Sequence, residues 1–318
     1  MPVILVTGAF GQIGTELVDA LYTRYGSGNV IATGHRLPEP AAALAGATAV
    51  LDVTDATAVT DFCSRHGIDV VYHLAAKLSA VAEREPAAAW RINVDGLRNV
   101  LEAARITGVG QVFWPSSIAV FGPDSTKTLT PQDAPTRPTT IYGIAKVAGE
   151  LLCDYYVKRH QLDVRGVRYP GVISSGAPPG GGTTDYAVEM FYAALEDGQY
   201  TAFVREDCVL PMIYMPDCIA AALSLMEADN RQLEHHNGFN LHAMSFSAGA
   251  LAAEIRRHVP QFNCRFEPDE RQQIADSWPQ RLDDTAARRE WRWQQSYDLP
   301  TMTADMLSKL RSRQEKRP

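Results

Sequence analysis

The sequence has no excess of basic residues: 30 Lys and Arg stand against 37 Asp and Glu, a formal charge of −7. With a pI near 5.6, that balance argues against a nucleic-acid surface as the main function, because phosphate recognition needs clustered Lys and Arg. Long hydrophobic runs are also missing, and none approaches the roughly 20 residues that span a bilayer. The N-terminal apolar run breaks at Thr7-Gly8 and has no basic segment before it, so it does not read as a secretory signal. The expectation is a cytoplasmic protein that acts on small soluble ligands, with neither membrane nor nucleic acid as partner. Cysteine is sparse: Cys63, Cys153, Cys208, Cys218 and Cys264 form no CxxC pair and have no histidine at metal-ligand spacing. They read as buried free thiols, and His235-His236 as a loop pair, so zinc-dependent dehydrogenase chemistry is disfavoured and no metal is expected. Repeats of solenoid period and low-complexity tracts are absent too.

What is present begins with the β-branched run Val3-Ile4-Leu5-Val6, followed by Gly8-Ala9-Phe10-Gly11-Gln12-Ile13-Gly14 and then a helical pattern. Strand, glycine turn and helix in that order suit a pyrophosphate, which the backbone can approach closely and which the unpaired N–H groups of a helix start can hold. The spacing is GxxGxxG, and by itself such a loop is equally compatible with a tight turn. A β-α alternation follows. Helix 12–25 leads to a strand at Asn29–Thr33, a Pro/Ala-rich segment, a short strand at Thr48–Leu51, helix 59–66 and a buried strand at Asp69–Leu74. A long amphipathic helix over 87–107, a strand at Gln111–Trp114, a second long helix over 141–160 and a strand at Asp163–Arg168 come next. This order predicts an α/β fold, a doubly wound, mostly parallel Rossmann sheet with right-handed crossovers.

After Gly171 the alternation weakens. Ala177-Pro178-Pro179-Gly180-Gly181-Gly182 reads as a loop and Tyr186–Asp197 as a helix. Leu210–Tyr214 and a helix capped by Asp217 over Cys218–Met226 return to the core. Phe239-Asn240-Leu241, two further helices and a tryptophan-rich tail fit a smaller C-terminal lobe, with Lys309–Pro318 frayed. Residues 1–170 are therefore expected to form a nucleotide-binding core. Residues 171–318 would be mainly a substrate lobe, with approximately 210–240 returning to the core.

Chemistry is expected beyond the carboxyl ends of the strands. Tyr142 and Lys146 stand four residues apart on one face of a helix, either as a proton-transfer pair or as an exposed tyrosine beside a solvated lysine. A tyrosine with an ordinary pKa of about 10 serves as a base near neutrality only where a neighbouring cation stabilises its phenolate. Ser117, at the end of the Gln111–Trp114 strand, could orient a reacting oxygen or bond local backbone. At the end of the second strand the sequence carries Thr33-Gly34-His35-Arg36, where NAD-preferring sites commonly place an acidic residue. Arg36 and His35 could meet a 2′-phosphate or an unphosphorylated ribose, or could be solvated.

Taken in order, Gly8–Gly14, Asp52-Val53, Leu74-Ala75-Ala76, Asn93-Val94-Asp95-Gly96, Ser117, Tyr142 and Lys146 resemble the extended short-chain dehydrogenase/reductase family. Five longer segments are similar to the epimerase-like L-threonine 3-dehydrogenases within it: Leu78–Glu83, Tyr169–Ser174, Pro179–Ala187, Leu210–Tyr214 and Ile274–Pro279. The resemblance implies Tyr142 as acid/base, Lys146 holding the nicotinamide ribose and lowering the tyrosine pKa, and Ser117 bonding the reacting oxygen. It implies NAD contacts at Gly8, Phe10, Gly11, Gln12, Ile13, His35, Arg36, Asp52, Val53, Leu74, Ala75, Ala76, Asn93, Tyr142, Lys146 and Tyr169, with NAD preferred to NADP. Ser79, Thr184 and backbone near Gly182 would join Ser117 and Tyr142 in binding an amino-acid substrate, L-threonine. Gly180–Gly182 is either a linker or a hinge, and Trp278 either covers the site or packs the lobe. A homodimer through the two long helices is also implied. Two rival readings share these motifs, a nucleotide-sugar epimerase or reductase and a non-catalytic cofactor sensor; intact Ser117, Tyr142 and Lys146 count against the sensor.

Overall fold

The structure is a computed structural model that describes residues 1–38, 45–176 and 180–315. Most of the Pro/Ala-rich segment after the second strand, and Ala177-Pro178-Pro179 of the glycine-rich loop, lie outside those residues.

The first half alternates as expected: β1 (Ile4–Thr7), α1 (Gln12–Tyr25), β2 (Val30–Gly34), β3 (Ala47–Val50), α2 (Ala56–His66) and β4 (Val70–His73). Helix α2 starts three residues ahead of its first apolar position because the Asp55 carboxylate accepts from Ala58 N at 2.9 Å. Next come α3 (Ser79–Arg84), α4 (Pro86–Trp90) and α5 (Gly96–Thr107). The π-helical turn Arg91–Asp95 joins α4 to α5, so the single helix expected over 87–107 carries a local widening at Asn93. Then follow β5 (Gln111–Phe113), β6 (Ser116–Ser117), α6 (Ile141–His160), β7 (Asp163–Arg165), β8 (Val167–Tyr169) and β9 (Gly171–Ile173). Six strands form a parallel sheet in the order β3-β2-β1-β4-β5-β7. The order reverses between β1 and β4, which opens the crevice where α/β sheets of this kind take ligands.

Alternation along β1 feeds both faces. Ile4 and Val6 pack with Leu17, Val18 and Leu21 of α1, whereas Leu5 packs with Val59 of α2 and Leu97, Val100 and Leu101 of α5. The strand expected as one piece over 163–168 is broken at Gly166. A Cβ there would lie 2.3 Å from Trp114 O, so the chain passes too close to its neighbour for any side chain. Beyond the break, β8 leaves the main sheet and pairs with β6 and with β12 (Phe239–Asn240). Phe239-Asn240 therefore pairs with Val167-Arg168, one strand away from Ser116-Ser117, rather than lying in a separate lobe as its sequence position suggests.

The remaining elements are α7 (Tyr186–Glu196), β10 (Gln199–Ala202), β11 (Val209–Tyr214), α8 (Met215–Glu227), β13 (Met244–Ser247) and α9 (Ala248–His258). They are followed by β14 (Asn263–Phe266), α10 (Arg271–Ser277), α11 (Thr285–Trp291) and α12 (Leu299–Gln314). Strand β11 lies between β9 and β13, and β10 pairs with β14. A second apolar core forms around Phe191, Leu210, Met212, Leu251, Ile255 and Met306. Two expectations are corrected here. Helix α8 opens at Met215 with Pro216 in its first turn, and Asp217 does not cap it: its carboxylate accepts from Ser296 N at 2.9 Å and Tyr297 N at 3.1 Å, tying the C-terminal segment to α8. Residues 309–314, expected to fray, complete α12, because Leu310 is buried against the second core.

Candidate active site

The glycine loop is a cradle that side chains would fill. Gly8 has φ +67°, and a Cβ on it would stand 2.6 Å from Ala75 N; a Cβ on Gly14 would stand 2.4 Å from Gly8 O. Gly8 thus seats the β1–α1 turn against Leu74-Ala75, and Gly14 brings α1 onto β1. Gly11 precedes α1 with no side chain capping the helix N–H groups. Phe10 closes over Gly34, whose missing Cβ would meet the ring at 2.8 Å. Ile13 packs against the core beside β1. The Nε2 of Gln12 is buried without a hydrogen-bond partner. An uncapped helix start, a backbone cradle and an orphaned donor fit the pyrophosphate of a dinucleotide.

His35 and Arg36 leave β2 exposed to solvent. The Asp52 carboxylate accepts from Thr54 N at 2.9 Å and Thr54 Oγ1 at 2.8 Å. These bonds, with Arg91 and His35 nearby, hold its pKa below the usual carboxylate value. Val53 is buried and its side chain faces Gly96 on α5, so it shapes the wall rather than reaching outward. Leu74 N donates to Thr7 O at 3.0 Å, and Ala75 and Ala76 continue past the glycine loop. Two residues grouped with the cofactor contacts point elsewhere. The Asn93 amide binds Lys77 N at 2.8 Å and Lys77 O at 3.0 Å, so it holds the chain after β4. The Tyr169 phenol is buried and donates to Cys218 O at 2.7 Å, leaving only the backbone opposite Ser117 to border the site.

The start of α6 is fixed twice, by Thr140 Oγ1 accepting from Gly143 N at 3.1 Å and by the Glu83 carboxylate accepting from Ile141 N at 2.7 Å. Tyr142 and Lys146 therefore occupy the first turns of an anchored helix. The structure brings them to Ser117: the Ser117 hydroxyl lies near enough to the Tyr142 phenol to lower its pKa and accepts from Ala119 N at 3.2 Å. Lys146 Nζ donates to Pro115 O at 2.6 Å and stands 4.4 Å from the centre of the Trp114 ring and 5.6 Å from that of Tyr142. Burial pushes the Tyr142 phenol up to about 12, opposed by the neighbouring Ser117 hydroxyl. It pushes Lys146 down to about 8, opposed by Cys153 and Glu150. Both charged forms lose hydration there. The phenol, the serine hydroxyl and the ammonium form a set that can take a proton from an alcohol and stabilise the resulting charge.

Ser79 opens α3 rather than lying on a loop. Its Oγ is 3.2 Å from Thr183 Oγ1 and accepts from Thr183 N at 3.3 Å. Thr184 packs over Gly171, where a Cβ would meet its methyl at 2.8 Å. The N–H groups of Gly181 and Gly182 both donate to Asp185 Oδ2, at 2.7 and 2.6 Å, so the Gly182 N–H is already engaged and Asp185 anchors this loop. Sequence reasoning passed over Asp185, Glu83 and Glu150; the available signals were a carboxylate just after a glycine run, one near a helix start and one four residues past Lys146. Trp278 packs into the second core. Among the described residues no group of three or more His, Cys, Asp or Glu is arranged to hold a metal, and no helix is long and apolar enough to cross a membrane. All five cysteines are buried and free.

Comparison with known proteins agrees with this geometry. Residues 4–240 match the NAD dependent epimerase/dehydratase family. An uncharacterized epimerase/dehydratase of Staphylococcus saprophyticus is 45% identical over 317 residues, 99% of each chain. Among solved structures, the L-threonine dehydrogenase of Clostridium difficile superposes with a TM-score of 0.95 at 47% identity, covering 98% of both chains. The holo form of L-threonine dehydrogenase from Cupriavidus necator gives 0.94 at 50%, covering 97% of this chain and all of that one. The resemblance drawn from the motifs is thus upheld along nearly the whole chain, and the protein is an enzyme of the short-chain dehydrogenase type. Rossmann sheet, glycine cradle and the Ser117, Tyr142 and Lys146 cluster together identify this chain as a member of the NAD dependent epimerase/dehydratase family.

Proposed function

We propose that this chain oxidises L-threonine at C3 to 2-amino-3-oxobutanoate with NAD, without a metal. The observation that carries the reading is the likeness to two L-threonine dehydrogenases at 47–50% identity over at least 97% of the chain, which takes in residues 171–318 as well as the family core. The glycine loop, with Gln12 and the start of α1, would hold the pyrophosphate; bound NAD supplies the hydride acceptor. Tyr142 takes the proton of the C3 hydroxyl, Ser117 orients that oxygen, and the Lys146 ammonium beside the ring favours the phenolate. Ser79 and Thr184 bind the amino acid, and the loop anchored by Asp185 closes that end of the pocket. Residues 1–170 serve as the cofactor core and 171–318 as the substrate lobe, apart from about 210–240.

Asp52 supports NAD over NADP. Its carboxylate lies near His35 and would repel a 2′-phosphate. A homodimer is supported by apolar side chains left exposed on the two long helical stretches: Trp90 and Ile106, with Ile144, Leu151 and Tyr155 on α6. We assign the enzyme to the cytoplasm.

The test is reduced-nicotinamide absorbance after mixing the protein with L-threonine and NAD or NADP, with and without chelator. Reduction of NAD that is indifferent to chelator is expected. Tyr142→Phe should lower kcat by about 10²–10⁴-fold while NAD still binds. Folded protein that leaves both cofactors oxidised overturns the reading, as does a Tyr142→Phe enzyme with near-parental turnover.

A further inference from the structure

Helix α6 grips three consecutive residues of the strand that carries Ser117. Lys146 Nζ donates to Pro115 O at 2.6 Å, Ser116 Oγ donates to Glu150 Oε1 at 2.6 Å, and the Ser117 hydroxyl lies beside the Tyr142 phenol. Tyr142, Lys146 and Glu150 are spaced by four residues and so project from one face of α6. Only the middle contact lacks a part in the reaction described above.

That contact is built to be rigid. Ser116 is 3% exposed and Glu150 8%. The same carboxylate accepts from Arg168 Nε and Nη2, each at 2.8 Å, and Arg168 is the residue paired with Ser116 across β6 and β8. Arg168 Nη1 continues to Gln132 O at 2.8 Å and Asn240 Oδ1 at 3.2 Å. Bidentate charge-assisted bonds fix the carboxylate, and the carboxylate in turn fixes the hydroxyl of Ser116. Strand β6 needs such a hold, since it is two residues long and Pro115 before it has no N–H to donate. A small rotation at Ser116 would carry the Ser117 hydroxyl away from Tyr142.

We propose that Ser116 and Glu150 form a positioning pair that holds β6 where the Ser117 hydroxyl meets the Tyr142 phenol. The pair touches neither substrate nor cofactor and acts only through Ser117. The inference rests on the proton-transfer reading of Tyr142, and its test includes a measurement that does not need threonine turnover.

Ser116→Ala removes the hold on the strand and leaves the Glu150–Arg168 pair in place. The charged and titratable groups around Tyr142 and Lys146, namely Glu150 and Cys153 on α6, Glu83 on α3 and His73 on β4, are unchanged by it. Misplacement of the serine predicts a single-turnover rate down by about tenfold, with the KM for NAD within twofold of the parent. Because the nearby Ser117 hydroxyl lowers the phenol pKa, the acid limb of the rate profile should move to higher pH. In a Ser117→Ala background the same substitution should change the rate by less than twofold, since the group through which it acts is gone. Ser116→Cys, which keeps a weak donor, should fall between parent and alanine variant and supplies the comparison if the alanine chain is unstable. Independently of substrate, ultraviolet titration of the NAD complex, as a difference against Tyr142→Phe, should show a raised phenolate midpoint in Ser116→Ala.

A merely structural bond would lower the melting temperature while rate and titration stayed put, and that result overturns the proposal. Multiplicative effects of the two serine substitutions also overturn it. If the parent does not oxidise threonine, the proposed function falls, whereas the phenolate titration still decides for or against the pair.

Discussion

Gly14→Ala isolates the contact that brings α1 onto β1. The added Cβ would lie 2.4 Å from Gly8 O and 2.7 Å from both Ala9 C and Ala9 O. All three are backbone atoms, so no rotamer change relieves the overlap, and α1 must retreat by about 1 Å to reach ordinary contact. Overpacking of this kind destabilises by roughly 1–3 kcal/mol, or about 2–4 °C of Tm per kcal/mol for a chain of a few hundred residues. The same retreat spreads the loop proposed to hold the pyrophosphate, and NAD affinity should fall about 10–100-fold, or roughly 1.4–2.7 kcal/mol. Calorimetric NAD titration and thermal unfolding read both quantities. Gly28→Ala is the control, because nothing lies within 4 Å of its Cβ position, and it should stay within about 0.5 kcal/mol of the parent. A Gly14→Ala protein with parental Kd and Tm, or a control that loses as much, refutes the reasoning.

Two further outcomes follow from the buried groups. Tyr169→Phe leaves Cys218 O without its phenol donor and should cost about 1–3 kcal/mol of stability with no change in NAD affinity; a tenfold loss of affinity at constant Tm would restore the ring to the cofactor site. For Lys146, the folded pKa of about 8 lies below the ordinary 10.5. Between those values the unfolded chain carries the extra proton, so stability rises with pH there and the penalty of the buried ammonium is fully felt below 8. Lys146→Met should therefore unfold at higher urea than the parent at pH 7 while losing turnover, by an amount of up to roughly 3 kcal/mol less the lost bond to Pro115 O. A urea advantage that fails to narrow between pH 8 and 10.5 would show that the ammonium is not the source.

Local pattern was enough for the elements that repeat a local rule. A β-branched run, a glycine turn and a helical period make β1 and α1 wherever they occur, and successive β-α units leave the parallel sheet as the way to bury the central strands on both faces. Four-residue spacing likewise puts Tyr142 and Lys146 on one side of α6 before any contact is known. Boundaries shifted with the chemistry of the first turn: Asp55 caps α2 and starts it early, whereas α8 opens at Met215 with Pro216 in its first turn and no side-chain cap.

Other features depend on partners far along the chain. Asp217 meets backbone 79 and 80 residues away, and nothing in its own neighbourhood announces that. Gly166 breaks a strand because Trp114 O approaches it. Asn93 and Tyr169 keep their place in the motif order while their side chains are spent on Lys77 and Cys218. The sequence by itself determined the sheet, the glycine turn and the placing of Tyr142 and Lys146 on one helix face, since each follows from residue type at short spacing. Only the tertiary structure decided which polar groups remain free to meet a ligand, because a hydrogen bond between distant segments leaves no period in the chain.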